Sequence, residues 1–292
     1  MKQNPLYGQL AFKAAYRFAQ TFPRPVCRSV ANLVGRSSHR FTPGIRAALR
    51  ANLAAVTGRT GPDLDRLCNL NISNFSKMLA DYFYCTTGDP ARIKPLLSEW
   101  RGIEHLHAAR ARGKGTILVT AHLGNWELGG MLLALEGQPI TVITLEEPST
   151  ELTQLRDNYR RKLGIKTIAI GSETFAFMEV IQTLRNNGIV AMLVERPQGN
   201  SGTPVKFCGR DTPFSLGPSV LWQHTDAAVL PAFVLQKNEG CYLSFIDPPI
   251  AMEQDGSPRE ALANNTQRIA SIFETIIQRN PEQWYNFVPI WK

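Results

Sequence analysis

The sequence has no acidic residue before Asp63 and no C-x-x-C pair. It also has no apolar run near the roughly 18 residues of a membrane-spanning helix. The longest such runs are Ile189–Val194 and Ala227–Leu235, so a transmembrane chain is not expected. No basic-then-apolar leader with a small-residue cleavage site opens the sequence, and export is not expected either. The five cysteines are odd in number and scattered from Cys27 to Cys241. That distribution suits neither a disulfide framework nor a zinc site, and it reads as free thiols in a reducing compartment. No G-x-S-x-G elbow, P-loop or dinucleotide fingerprint is present. What is present is apolar material: 43% of the 292 residues are hydrophobic and 19% charged, which excludes a disordered or fibrous chain and allows a large core.

Charge is unevenly placed. Residues 1–60 carry ten lysines and arginines, from Lys2 to Arg59, and no acid, so this segment is +10 while the rest of the chain is −2. A surface of this kind attracts phosphates, of anionic lipid or of nucleic acid. The segment shows no recognition-helix or aromatic stacking motif, which argues against nucleic acid. Tyr7, Leu10, Ala11, Ala14, Ala15, Phe18 and Phe22 recur at helical spacing with Lys13 and Arg17 off the stripe. This is the pattern of a helix that either packs on the protein or lies on an anionic membrane. Pro23 and Pro25 end it. A second amphipathic stretch starts near Gly44 and a third at Asp63, giving a basic helical region over residues 1–100.

From about residue 100 the pattern changes. Strands are expected at Thr116–Thr120, Ile140–Leu145, Lys166–Ile170, Ile189–Val194, 229–234 and 241–246. Helices alternate with them near 127–136, 150–163 and 174–185, and a long one follows at 258–278. Strands alternating with helices predict an α/β fold over 101–292: a mixed, partly parallel central sheet flanked by helices, preceded by the amphipathic helical N-terminal region.

Ligands of such sheets bind beyond the carboxyl ends of the strands. The first of these ends reads Ala121-His122-Leu123-Gly124-Asn125-Trp126-Glu127. Gly124 permits a tight turn, Asn125 is a good N-cap, and Glu127 falls in the first helical turn. A loop doubling back would let Glu127 orient His122, leaving the other ring nitrogen to take a proton from a hydroxyl. The spacing alone is unspecific; the placement at a strand end is what singles it out. His39, His105, His107 and His224 read as structural or surface residues, and no metal site is expected.

The segment AHLGNWELGG resembles the H-x4-D/E signature of the glycerolipid and lysophospholipid acyltransferase superfamily. In its Gly-Asn-Trp-Glu form it is similar to the bacterial lipid A biosynthesis (lauroyl/myristoyl) acyltransferase family. The resemblance continues through Asn52-Leu53, Arg160-x-x-x-Gly164, the strand ending in Glu195-Arg196, the block from Gly202 to Gly209, Ser215–Pro218, Leu230-Pro231 and Pro281–Trp284. Departures are Glu195-Arg196 in place of Asp-Gln or Asp-His, Phe207-Cys208-Gly209 in place of Phe-Phe-Gly, and an amphipathic helix in place of a strongly apolar one. They bear on the acceptor more than on the reaction.

The resemblance implies an enzyme without a cofactor, moving a fatty acyl group from acyl carrier protein to a hydroxyl of a lipid A-type or related glycolipid. His122 would be its general base and Glu127 the orienter. Arg160, Glu195, Arg196 and Asn125 would be oxyanion or substrate contacts, and Met131, Leu132 and Leu133 could wall an acyl channel. The acidic carrier protein would suit the basic surface, which would also hold the enzyme on the cytoplasmic face of the bacterial inner membrane. Another aminolipid or glycolipid acceptor, a thioesterase and a non-catalytic lipid-binding relative remain open.

Overall fold

The computed structural model describes residues 9–38, 42–86, 89–145, 150–170, 174–197, 202–237 and 240–291. Tyr7 and His39 lie outside them. Four helices come first: α1 (Gln9–Thr21), α2 (Arg24–Ser38), α3 (Pro43–Thr57) and α4 (Gly61–Cys85). After the short α5 (Pro90–Ile93), strands and helices alternate as β1 (Leu97–Arg101), α6 (Ile103–Ala111), β2 (Thr116–Thr120), α7 (Trp126–Leu135), β3 (Ile140–Leu145), α8 (Thr150–Lys162), β4 (Lys166–Ile170), α9 (Thr174–Arg185) and β5 (Ile189–Leu193). A hairpin of β6 (Gly202–Phe207) and β7 (Arg210–Ser215) follows, then α10 (Gly217–Thr225), β8 (Ala228–Gln236), β9 (Tyr242–Ile246) and α11 (Pro258–Arg279).

Seven strands form one sheet in the order β1-β9-β8-β2-β5-β3-β4, parallel except at the β8/β9 pair. The expected α/β architecture is therefore present. The chain leaves β2 for β3 and β4, returns to β5 beside β2, and then crosses to β8 on the other side of β2. The carboxyl end of β2 is thus a switch point, where such sheets leave a crevice. Pro231 falls at the last β2–β8 register pair, opposite Val119. There the ladder to β2 ends, and a residue lacking an N–H costs little.

The sequence reading does not anticipate α2, the edge strand β1 or the β6/β7 hairpin. Pro23 and Pro25 end α1, but Pro25 also lies in the first turn of α2, where its fixed φ favours a helix and its missing N–H has no role. The N-terminal helices are not a separate layer. Leu49 and Leu53 of α3 and Leu64, Leu67 and Cys68 of α4 share one buried cluster with Ile117 and Val119 of β2, Val190 of β5 and Phe273 of α11. Of the α1 stripe, Ala15 and Phe18 pack, together with Tyr16 and the buried Ala19, against the cluster that holds Ala80 and Phe83, whereas Ala14 and Phe22 are exposed. The uncovered apolar row belongs to α2, where Val26, Val30, Leu33 and Val34 are exposed.

Candidate active site

His122 follows β2 by two residues, and Glu195 follows β5 by two. In the parallel register Thr120 pairs with Leu193, so the two residues leave the sheet side by side. One oxygen of Glu195, Oε1, accepts the backbone N–H of His122 at 2.7 Å and lies 2.7 Å from its ring Nδ1. Arg196 donates from its Nη2 to His122 Nε2 at 2.6 Å. An arginine has no lone pair to offer, so Nε2 is the accepting nitrogen and Nδ1 carries the proton toward Glu195. The lone pair of the ring is thus directed away from the carboxylate. Its side chain is 18% exposed and that of Glu195 1%. Burial pushes the Glu195 carboxyl upward, but the His122 ring, the Arg196 guanidinium and the His122 backbone N–H together hold it below the usual glutamate range.

The turn after His122 is built from backbone contacts. Gly124 has φ +63°, and a Cβ there would collide with the Val234 carbonyl oxygen. Closeness is required because the Gly124 N–H donates to Gln283 and the Asn125 N–H to Val234, on the part of β8 that runs past β2. The Tyr285 N–H donates to the His122 carbonyl at 2.7 Å, so the C-terminal segment holds the backbone of this turn. Two buried asparagines hold that segment: Asn52 donates to the carbonyls of Asn286 and Val288, and Asn71 to those of Pro281 and Trp284. Trp126 meets the imidazole edge to face, with centroids 5.2 Å apart.

The remaining expected residues separate. The pairing of His122 with Glu127 is corrected: Glu195 takes Nδ1, while Glu127 Oε2 accepts from the Tyr159 hydroxyl and Oε1 from Arg160, each at 2.7 Å. Glu127 lies in the first turn of α7, and this contact joins that turn to α8. Arg160, expected at an oxyanion or phosphate, has a side chain only 6% exposed and is ion-paired to Glu127. Burial alone would lower its pKa, yet Glu127 raises it above the ordinary arginine value. Asn125 is fully buried and its side-chain oxygen caps α7 by accepting the Leu128 N–H at 3.1 Å, so it shapes the loop. Met131, Leu132 and Leu133 are core residues. Tyr159, Tyr285 and the two asparagines were not singled out as contacts; only the odd placement of Asn52 and Asn71 on apolar helix faces signals them.

An imidazole with one nitrogen held by a buried carboxylate and the other accepting from a guanidinium can remove a proton from a hydroxyl that takes the place of that guanidinium. Comparison with known proteins fits this chemistry. Residues 5–292 match the family model described as bacterial lipid A biosynthesis acyltransferase. The chain is 27% identical to a phosphatidylinositol mannoside acyltransferase of Mycolicibacterium smegmatis, over 98% of this chain and 93% of that protein. It is also 27% identical to a phosphatidylinositol mannoside acyltransferase of Mycobacterium tuberculosis H37Rv, over 96% of this chain and 87% of the relative. The protein belongs to the bacterial lipid A biosynthesis acyltransferase family, a family of acyltransferases.

Proposed function

We propose that the protein transfers a fatty acyl group from the thioester of acyl carrier protein to a hydroxyl of a membrane glycolipid. The observation that carries the reading is the His122–Glu195 contact at the switch point of the sheet, with Nε2 as the accepting nitrogen. The names of the two relatives support a glycolipid acceptor in general, and lipid A is one member of that class.

In this mechanism the acceptor hydroxyl displaces Arg196 from Nε2 and gives its proton to that nitrogen. The oxygen attacks the thioester carbon, and the new imidazolium is stabilised by the ionised Glu195. The tetrahedral oxyanion forms within reach of the displaced Arg196 guanidinium, which neutralises it. Collapse breaks the carbon–sulfur bond, the thiolate recovers the proton from His122, and an ester and a free thiol leave. Glu127 and Arg160 act as positioning residues, fixing the helix that follows the His122 turn.

A lipid acceptor requires the site to work at a bilayer. No described helix is long and apolar enough to cross one. The exposed row of α2, within the +10 segment, gives a surface that can lie on an anionic membrane instead. The basic helical region of residues 1–100 is then the docking part of the enzyme, on the cytoplasmic face of the inner membrane where acyl carrier protein is available. Incubating purified protein with acyl carrier thioester, with and without extracted lipid, tests the reading. Acyl-chain gain on a glycolipid, seen by mass spectrometry, is expected; free fatty acid released equally without lipid would instead mark a thioesterase.

A further inference from the structure

Two of the three arginines of α2 turn inward. Arg24 donates to Asp81 at 2.7 and 3.0 Å, and Arg28 pairs with the same buried carboxylate, which also accepts the Tyr242 hydroxyl at 2.6 Å. This anchors α2 to α4 and β9. Gly35 continues the close approach, since a Cβ there would collide with the Ser76 side chain of α4. The outward face is left with Val26, Val30, Leu33 and Val34, of which Leu33 is 68% exposed.

Beside the end of that row, Arg36 of α2, Arg46 of α3 and Asn69 and Ile72 of α4 line an open cavity of about 140 Å³. Arg46 donates to the Asn69 side-chain oxygen at 3.3 Å, and no carboxylate of a described residue is ion-paired with either arginine. The first turn of α3 holds no acid, so the helix dipole adds to the positive field. Lys77, one helical turn beyond Ser73 on α4, titrates below the ordinary lysine range, through burial first and then the charges of Arg28 and Arg36. Arg36, Arg46 and Lys77 thus bring like charge together here, while Arg28 is compensated by Asp81. Planar guanidinium groups converging on one cavity suit a group with several acceptor oxygens on one centre, and phosphate is that group.

We propose that this cavity binds the phosphate of an anionic phospholipid headgroup while the exposed row of α2 enters the acyl region beside it. The proposal rests on the membrane-docking reading above and adds a headgroup site to it. A lipid fits better than free phosphate, because the cavity adjoins an uncovered apolar row that an inorganic anion would leave in water, and it meets both features at once with one headgroup and its chains.

Flotation of the full-length protein with vesicles of phosphatidylcholine alone, or of phosphatidylcholine with phosphatidylglycerol, tests it. The pair Arg36→Gln/Arg46→Gln is compared with the charge-matched pair Arg259→Gln/Arg279→Gln on α11, all four being surface or half-buried positions. A basic residue at an anionic surface is worth about fivefold in partitioning, so the cavity pair should lose about 25-fold on anionic vesicles. It should change little on neutral ones, and the α11 pair should stay near wild type. Equal losses for both pairs would reduce the effect to bulk charge and overturn the headgroup site while leaving docking intact. Wild-type protein failing to float with any vesicle would overturn docking itself. Heat stabilisation by millimolar inorganic phosphate without anionic-vesicle preference would assign the cavity to a free anion. Unchanged flotation with a raised KM for acyl carrier protein would assign it to that partner.

Discussion

Nδ1 of His122 and Oε1 of Glu195 lie 2.7 Å apart because Thr120 and Leu193 are register partners in adjacent parallel strands. The contact spans 73 residues of sequence, but it follows from two equal extensions past one pair of strands. It has a consequence in acid. A glutamate in the unfolded chain titrates near about 4.3, and Glu195 in the folded protein titrates lower, so the folded state binds its proton less tightly. Its stabilisation is complete above that unfolded value and is lost as pH falls through the lowered folded value. Relative to Glu195→Gln, the advantage of the wild type in unfolding free energy should therefore be largest near pH 6 and shrink toward pH 3. Denaturant unfolding across that range measures it, and an advantage that grows on acidification would contradict the assignment.

Arg196 covers the nitrogen that the mechanism needs. Replacing it with alanine should therefore change two readouts in opposite directions. Modification of His122 by diethyl pyrocarbonate should speed up, because Nε2 is uncovered. Turnover should fall by about 10²–10³, the usual cost of a lost oxyanion donor. Faster modification with unchanged turnover would leave Arg196 as a cover without a part in the chemistry.

The Glu127–Arg160 pair joins the first turn of α7 to α8. Glu127→Ala leaves a buried guanidinium without its partner and should cost about 3–5 kcal/mol of stability. Glu127→Gln/Arg160→Met removes both charges and should recover a large part of that loss in denaturant unfolding. Catalytic loss in the single variant would then reflect displacement of α7, and the double variant should regain turnover together with stability.

Gly124→Ala forces a side chain into left-handed backbone, at about 1–2 kcal/mol, and into the Val234 carbonyl. The turn must move and carry His122 away from Glu195. A fall in both melting temperature and kcat is expected, whereas substitution at Gly137, with φ +71° and open space around it, should cost stability alone.

Several elements could be read from sequence to within a residue or two because their signals are local. The apolar runs of β2, β3, β4 and β5 and the period of α9 need no tertiary context. Asn125 was legible as a cap for the same reason. Helix α2 was not, since Pro23 and Pro25 read as a stop when one of them is also a start. The partner of His122 was not legible either. Four residues separate His122 from Glu127, a distance that a loop can close, whereas the contact with Glu195 depends on which strand lies beside β2. Strand order is fixed by how the whole sheet packs, and no local pattern encodes it. The same holds for Asn52 and Asn71, whose role depends on a segment more than 200 residues away.

The central claim is that the His122 imidazole takes the acceptor's proton during acyl transfer. Single-turnover transfer of a labelled acyl group from carrier protein to extracted glycolipid, compared for wild type and His122→Ala at equal folded concentration, tests it most directly. The account predicts a rate lower by about 10²–10⁴ in the variant, as for the loss of a general base. A transfer rate equal to that of the wild type would contradict it.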